Sequence, residues 1–155
     1  MTKKARVISV SNQKGGVAKT TTSINLAASL AMADRRVLLI DLDPQANLTS
    51  GVGLKGQSAA AGTIYDALMT TGQPAQDFVL PTSVDHLFLV PADRHLTGAE
   101  IELVMLPDRD QRLRTFVNQL RGDYDYIFID TPPSLGLLTL NALDSAVIAA
   151  SSRWD

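Results

Sequence analysis

Three short apolar runs, each ending abruptly in polar residues, set the rhythm of this 155-residue chain. Residues 6–11, with Val7-Ile8-Ser9-Val10 at their centre, are β-branched and predict a strand. Val37-Leu38-Leu39-Ile40 and Tyr126-Ile127-Phe128-Ile129 are continuous apolar runs, the pattern of parallel strands covered by helices on both faces. Between them the period changes. From Lys19 onward Ile24, Ala27, Ala28 and Ala31 fall on one helical face, and Leu113, Phe116, Val117 and Leu120 repeat at i, i+3, i+4 and i+7. Gly122 stops that second helix. Weaker signals add a short helix over 64–69 capped by Thr63, a strand over 87–90, and a helix over 98–106 broken at Pro107. A helix over 135–143 and a weak strand over 146–150 complete the pattern. Residues 51–62 hold four glycines, the run Ala59-Ala60-Ala61 and one charge, Lys55, and read as a mobile loop. Strands alternating with helices predict an α/β fold with a doubly wound, mostly parallel sheet, in one domain spanning 1–155.

Composition narrows the function classes. With 45% hydrophobic and 19% charged residues the chain is far from a disordered composition. Its net charge of -2 names neither nucleic acid nor an anionic membrane as an obligatory partner. The absence of cysteine removes disulfides, thiol nucleophiles, thiolate zinc sites and cysteine-ligated iron–sulfur clusters, and fits a reducing cytoplasm. The apolar stretch after the N-terminal cations is too short for a signal peptide, and no stretch approaches the roughly 18 apolar residues of a spanning helix. A soluble protein is expected. Arg109, Arg112, Arg114 and Arg121 lie mostly off the apolar stripe of their helix and read as a solvated face in preference to a DNA-binding one.

The chemistry gathers where the strands end. Val10 leads to Lys14-Gly15-Gly16, Ile40 to Asp41 and Asp43, and Ile129 to Asp130. In open α/β sheets ligands bind beyond the carboxyl ends of strands, so these ends are expected to share one crevice. Lys14-Gly15-Gly16-Val17-Ala18-Lys19-Thr20 resembles a phosphate-binding loop: glycines let successive N–H groups face an anion, and the following helix adds its positive end. In that reading Lys19 reaches the β- and γ-phosphates, and the Thr20 hydroxyl ligates Mg²⁺. The strict G-x-x-x-x-G-K-[ST] pattern is broken twice, by Gln13 and by Ala18. Gly51-Val52-Gly53-Leu54-Lys55-Gly56 spells G-x-G-x-x-G but follows a polar loop, not a strand, so a dinucleotide site is not expected there. His86 and His95 have no metal-ligand spacing.

A lysine directly before Gly15-Gly16 marks the deviant Walker A pattern K-G-G-x-x-K-[ST]. Asn12-Gln13-Lys14-Gly15-Gly16-Val17-Ala18-Lys19-Thr20-Thr21-Thr22, then Val37-Leu38-Leu39-Ile40-Asp41-Leu42-Asp43-Pro44-Gln45, then Tyr124-Asp125-Tyr126-Ile127-Phe128-Ile129-Asp130-Thr131-Pro132-Pro133-Ser134, resemble in order the three nucleotide motifs of the ParA partition ATPases. The resemblance covers about 6–143. It implies a P-loop NTPase that binds and hydrolyses Mg-ATP to switch a homodimer on and off DNA in chromosome or plasmid partition. Lys14, Gly15, Gly16, Val17, Ala18, Lys19, Thr20 and Thr21 then hold the nucleotide, and Lys14 crosses to the phosphates of the second subunit. Asp43 positions the attacking water; Thr20, Asp41 and Asp130 serve the metal. A helix cap or ion pair is the alternative for Asp41. The implied partners are a second copy, a ParB-like adaptor and non-specific DNA, without a membrane, in the cytoplasm. A MinD-type positioning ATPase is an alternative that needs a terminal amphipathic helix. Family members continue further, and the resemblance fades over 144–155. The expectation is a fold incomplete at its C-terminal end, with a weakly active chain pairing with a full-length relative as another alternative.

Overall fold

The computed structural model describes residues 4–11, 17–146 and 148–151. Its strands are β1 (Arg6–Ser11), β2 (Val37–Asp41), β3 (Leu80–Pro81), β4 (Leu87–Val90), β5 (Tyr126–Asp130) and β6 (Ile148–Ser151). Its α-helices are α1 (Val17–Met32), α2 (Asn47–Gly51), α3 (Ile64–Met69), α4 (Ala99–Glu102), α5 (Arg112–Asn118) and α6 (Leu137–Ser145). Among the described residues the strands form one sheet in the order β3-β4-β2-β5-β1-β6, parallel except for β3. The three strands with apolar runs, β2, β5 and β1, are neighbours at its centre.

Alternation along each strand divides the core in two. Val7, Leu38, Ile40, Ile127 and Ile129 face α3, α5 and α6, while Val37, Leu39 and Phe128 face α1 and α2. Ala27 and Ala31 bury the predicted stripe of α1, and their small side chains let the helix lie close to the sheet. Leu113, Phe116 and Val117 of α5, and Leu120 in the turns that follow it, are all buried on the opposite face; the helix ends at Asn118, short of the Gly122 stop that the sequence suggests. Helices on both faces of a mostly parallel sheet make the fold doubly wound, as the alternating pattern predicts.

Three local expectations change. The helix over 98–106 is interrupted: a 3-10 turn over Arg94–Gly98 leads into the single turn α4, and a second 3-10 turn covers Leu103–Met105. Leu96, Ala99 and Leu103 are buried along this segment while Ile101, Val104 and Met105 stay exposed. Residues 51–62 are structured turns, not a featureless loop. They begin with the end of α2 at Gly51, where a Cβ would come within 2.5 Å of Ile24 Cδ1, so glycine lets α2 pack onto α1. Helix α2, not a strand, leads directly into them. Helix α6 begins at Leu137, two residues after the expected start. The cap on α3 is as anticipated: the Thr63 backbone N–H donates to the Asp66 carboxylate at 2.9 Å in a capping box.

The four arginines of the basic face each have a partner. Arg109 and Arg112 donate to the carbonyls of Val104 and Pro107, Arg121 to that of Ala5, and Arg114 lies 3.8 Å from Asp144. At the opposite end of the sheet from the crevice, Arg36 joins the starts of β2 and β5. Its guanidinium stacks over Phe88 and Tyr124, 4.8 and 5.5 Å from the ring centroids, and its Nε donates to the Asp123 carbonyl.

Candidate functional site

Strand register brings the predicted acids together. Val10 of β1 and Asp41 of β2 both stand beside Asp130 of the intervening β5. Asp41 and Asp130 are buried. Thr20, on the first turns of α1, donates its hydroxyl to Asp130 Oδ2 at 3.2 Å across 110 residues of sequence. The strand ends are further locked by Leu42 N–H donating to the Asp130 carbonyl at 2.9 Å, and by the Thr131 hydroxyl donating to the Val10 carbonyl at 2.9 Å. One crevice therefore collects the ends of β1, β2 and β5 and the start of α1.

Asp41 is held by three hydrogen bonds. Its Oδ1 accepts from the Asp43 backbone N–H at 3.1 Å; its Oδ2 accepts from the Thr49 backbone N–H at 2.9 Å and from the Thr49 hydroxyl at 2.7 Å. Burial pushes the Asp41 carboxyl up from 3.8 to about 7, against the opposing pull of the Thr49 hydrogen bonds and with a further push from Asp130. Asp43 is also buried, and its Oδ1 accepts from Gln45 N–H at 3.0 Å, closing a tight turn into α2. Beside that turn runs a groove lined by Pro44, Gln45, Ala46, Lys55, Arg94 and Thr97.

The remaining predicted residues are placed less fully. Lys14, Gly15 and Gly16 lie outside the described residues, and of Val17, Ala18 and Lys19 only the helical backbone at the start of α1 is described. Thr21 follows on the exposed side of that helix. Among the described residues no three His, Cys, Asp or Glu side chains gather as a metal cage. A hydroxyl bonded to a buried carboxylate, with a second carboxylate in the next strand, is nevertheless the hard-oxygen donor set that Mg²⁺ takes when phosphates and water complete its shell.

Sequence reasoning passed over Thr49 and Glu100. Thr49 has no motif of its own; its partners at Asp41 and Ala92 are 8 and 43 residues away. Glu100 of α4 accepts from the Leu137 and Leu138 N–H groups at 2.6 and 3.2 Å, capping α6 where the chain leaves the Asp130 loop.

Comparison with known proteins agrees with this geometry. A family model described as an AAA domain matches residues 5–151. The chromosome partitioning protein ParA of Myxococcus xanthus is 58% identical over 141 residues, 91% of this chain and 49% of that protein. The sporulation initiation inhibitor protein Soj of Bacillus subtilis is 49% identical over 96% of this chain and 59% of its own length. The chain thus spans about half the length of these relatives. Among solved structures, cobyrinic acid a,c-diamide synthase from Mycobacterium smegmatis with bound ATP analogue and magnesium superposes with a TM-score of 0.87 at 40% identity, over 96% of this chain and 60% of that one. A putative plasmid partition protein from Borrelia burgdorferi bound to AMPPNP gives 0.84 at 32% identity, over 96% and 62%. No helix among the described residues is long and apolar enough to cross a membrane. The family match and these similarities, over a sheet whose central strand ends hold Thr20, Asp41 and Asp130 together, show that the chain belongs to the AAA domain family, among its ParA/Soj-type partition proteins.

Proposed function

We propose that residues 1–155 form one nucleotide-binding domain that binds and hydrolyses Mg-ATP as a partition-type switch. The observation that carries this reading is the Thr20–Asp130 hydrogen bond beside Asp41, at the carboxyl ends of adjacent parallel strands. Solved structures bound to an ATP analogue and magnesium, and to AMPPNP, support the choice of ligand. Backbone N–H groups of Lys14, Gly15, Gly16, Val17 and Ala18 cradle the phosphates at the start of α1, with Thr21 one step further along it, and Lys19 neutralises the β- and γ-phosphates. Thr20, Asp130 and Asp41 hold the magnesium ion, whose chemistry is to neutralise charge developing on the phosphate oxygens. Asp43 orients the attacking water from the turn that follows β2, and Lys14 of a second copy completes the charge around the phosphates.

The nucleotide state then controls a homodimer that engages non-specific DNA and a ParB-like adaptor, in the cytoplasm and without a membrane. Its test is phosphate release from ATP by the wild type and by Asp43→Ala, beside ATP binding by both. The reading expects turnover that falls about a hundredfold in the variant with binding retained. Equal turnover in the two proteins contradicts it.

A further inference from the structure

We propose that Thr49 is a positioning residue of this site: its hydroxyl fixes the Asp41 carboxylate and, through it, the turn that carries Asp43. The inference rests on the proposed nucleotide hydrolysis for its kinetic consequence, but its geometry stands by itself. Thr49 is fully buried on α2 and bonds to two segments remote from that helix, Asp41 at the end of β2 and Ala92 beyond β4. Its hydroxyl accepts from the Ala92 backbone N–H at 3.0 Å, just beyond the end of β4. A hydroxyl has one proton, and with Ala92 acting as donor that proton is left for Asp41 Oδ2, 2.7 Å away. The Thr49 backbone N–H donates to the same oxygen. With Oδ2 held twice, the plane of the Asp41 carboxylate is set, and Oδ1 is presented to the Asp43 N–H at 3.1 Å.

That last bond matters because the turn has few other anchors. The Ala46 N–H donates to the Asp43 carbonyl at 2.8 Å, Ala46 has φ 55°, and the Asp43 carboxylate accepts from Gln45 within the same turn. These bonds hold the turn together; the backbone is tied to the sheet one residue earlier, by the Leu42 N–H on the Asp130 carbonyl, and the side-chain tie is the one to Asp41. The link to β2 runs through Asp41, and Thr49 is what orients Asp41. Thr49 touches none of the positions assigned to the nucleotide itself, but it holds Asp41, which the proposed function gives to Mg²⁺, so its effect on the placement of Asp43 is read with Mg²⁺ saturating.

The test is steady-state ATP hydrolysis by the 155-residue chain carrying Thr49→Val, Thr49→Ser and, as a destabilised control remote from the crevice, Val117→Ala. Thr49→Val keeps the shape and removes the hydroxyl; at saturating Mg²⁺, kcat is expected to fall between about tenfold and a hundredfold while KM for ATP stays close to the wild type. Thr49→Ser restores kcat, and Val117→Ala leaves it unchanged. A Thr49→Val enzyme with wild-type kcat, or a Val117→Ala enzyme that loses kcat equally, overturns the inference. A wild type whose turnover is no higher than that of Asp43→Ala overturns the proposed function instead. Amide exchange over residues 42–48 then decides the positioning role: faster exchange in Thr49→Val upholds it, and unchanged exchange overturns it.

Discussion

The Asp41 carboxylate shows how one side chain answers to opposing forces. Thr49 and Asp43 donate three hydrogen bonds to it, which favours the ionised form, yet burial outweighs them and its pKa lies at about 7. The consequence for stability has a definite sign. In the unfolded chain the carboxyl titrates near its ordinary value of 3.8, so between about pH 4 and about pH 7 the folded protein retains a proton that the unfolded chain has lost. The contribution is fully present below pH 4 and is lost as pH rises through 7. Urea unfolding of the ligand-free protein is expected to show stability falling across that window, with Asp41→Asn flattening the slope. An identical slope in the variant contradicts the assignment. Arg36 offers a second residue-scale prediction. Arg36→Ala removes two ring contacts and a hydrogen bond at an exposed position, so the loss should be about 1 kcal/mol by denaturant titration. Lysine should not restore it, because a compact ammonium reproduces neither the stacking plane nor the fork of donors.

Elements are held by polar ties between segments remote in sequence, and α6 is the clearest case. Its first two described N–H groups meet the Glu100 carboxylate, and a Cβ added at Gly136 would come within 2.5 Å of both carboxylate oxygens. Farther along, the buried Asn141 side chain accepts from Leu113 N–H and donates to the Arg109 carbonyl, tying α6 to α5. Glu100→Ala and Gly136→Ala each disturb the same cap and should each cost about 1 to 2 kcal/mol. Because they act on one contact, the double variant should be destabilised by less than the sum of the two. Additive losses in urea unfolding contradict a shared cap.

Across the whole molecule, what was legible in the sequence followed local periodicity. The runs ending at Ile40 and Ile129 declared parallel strands, because a strand covered on both faces has no polar side to interrupt it. The i, i+3, i+4, i+7 pattern at Leu113 to Leu120 declared α5 for a different reason: one face is buried and the residues between, such as Arg114 and Asn118, are exposed. The convergence of the strand ends was also legible, since it follows from general rules for parallel sheets once the three runs are recognised. Other features depend on partners far along the chain. Two-residue β3 is a strand only because Leu80 and Pro81 meet Leu89 and Phe88 of β4, and its sequence contains no alternation to detect. The segment over 94–105 splits because its apolar residues occupy more than one face, leaving Ile101 and Met105 in solvent. Thr49 and Glu100 resemble ordinary polar surface residues until the fold brings Asp41, Ala92 and the start of α6 to them.

The proposed function requires the carboxyl ends of β1, β2 and β5 to grip one magnesium-bound triphosphate. Calorimetric titration of the 155-residue chain with ATP, with and without Mg²⁺, tests it directly when Thr20→Val and Asp130→Asn are measured beside the wild type. One ATP per chain is expected, tightened by Mg²⁺ in the wild type, with that tightening lost in both variants while they remain folded. Absence of ATP binding by the wild type, or an undiminished Mg²⁺ effect in the variants, contradicts it.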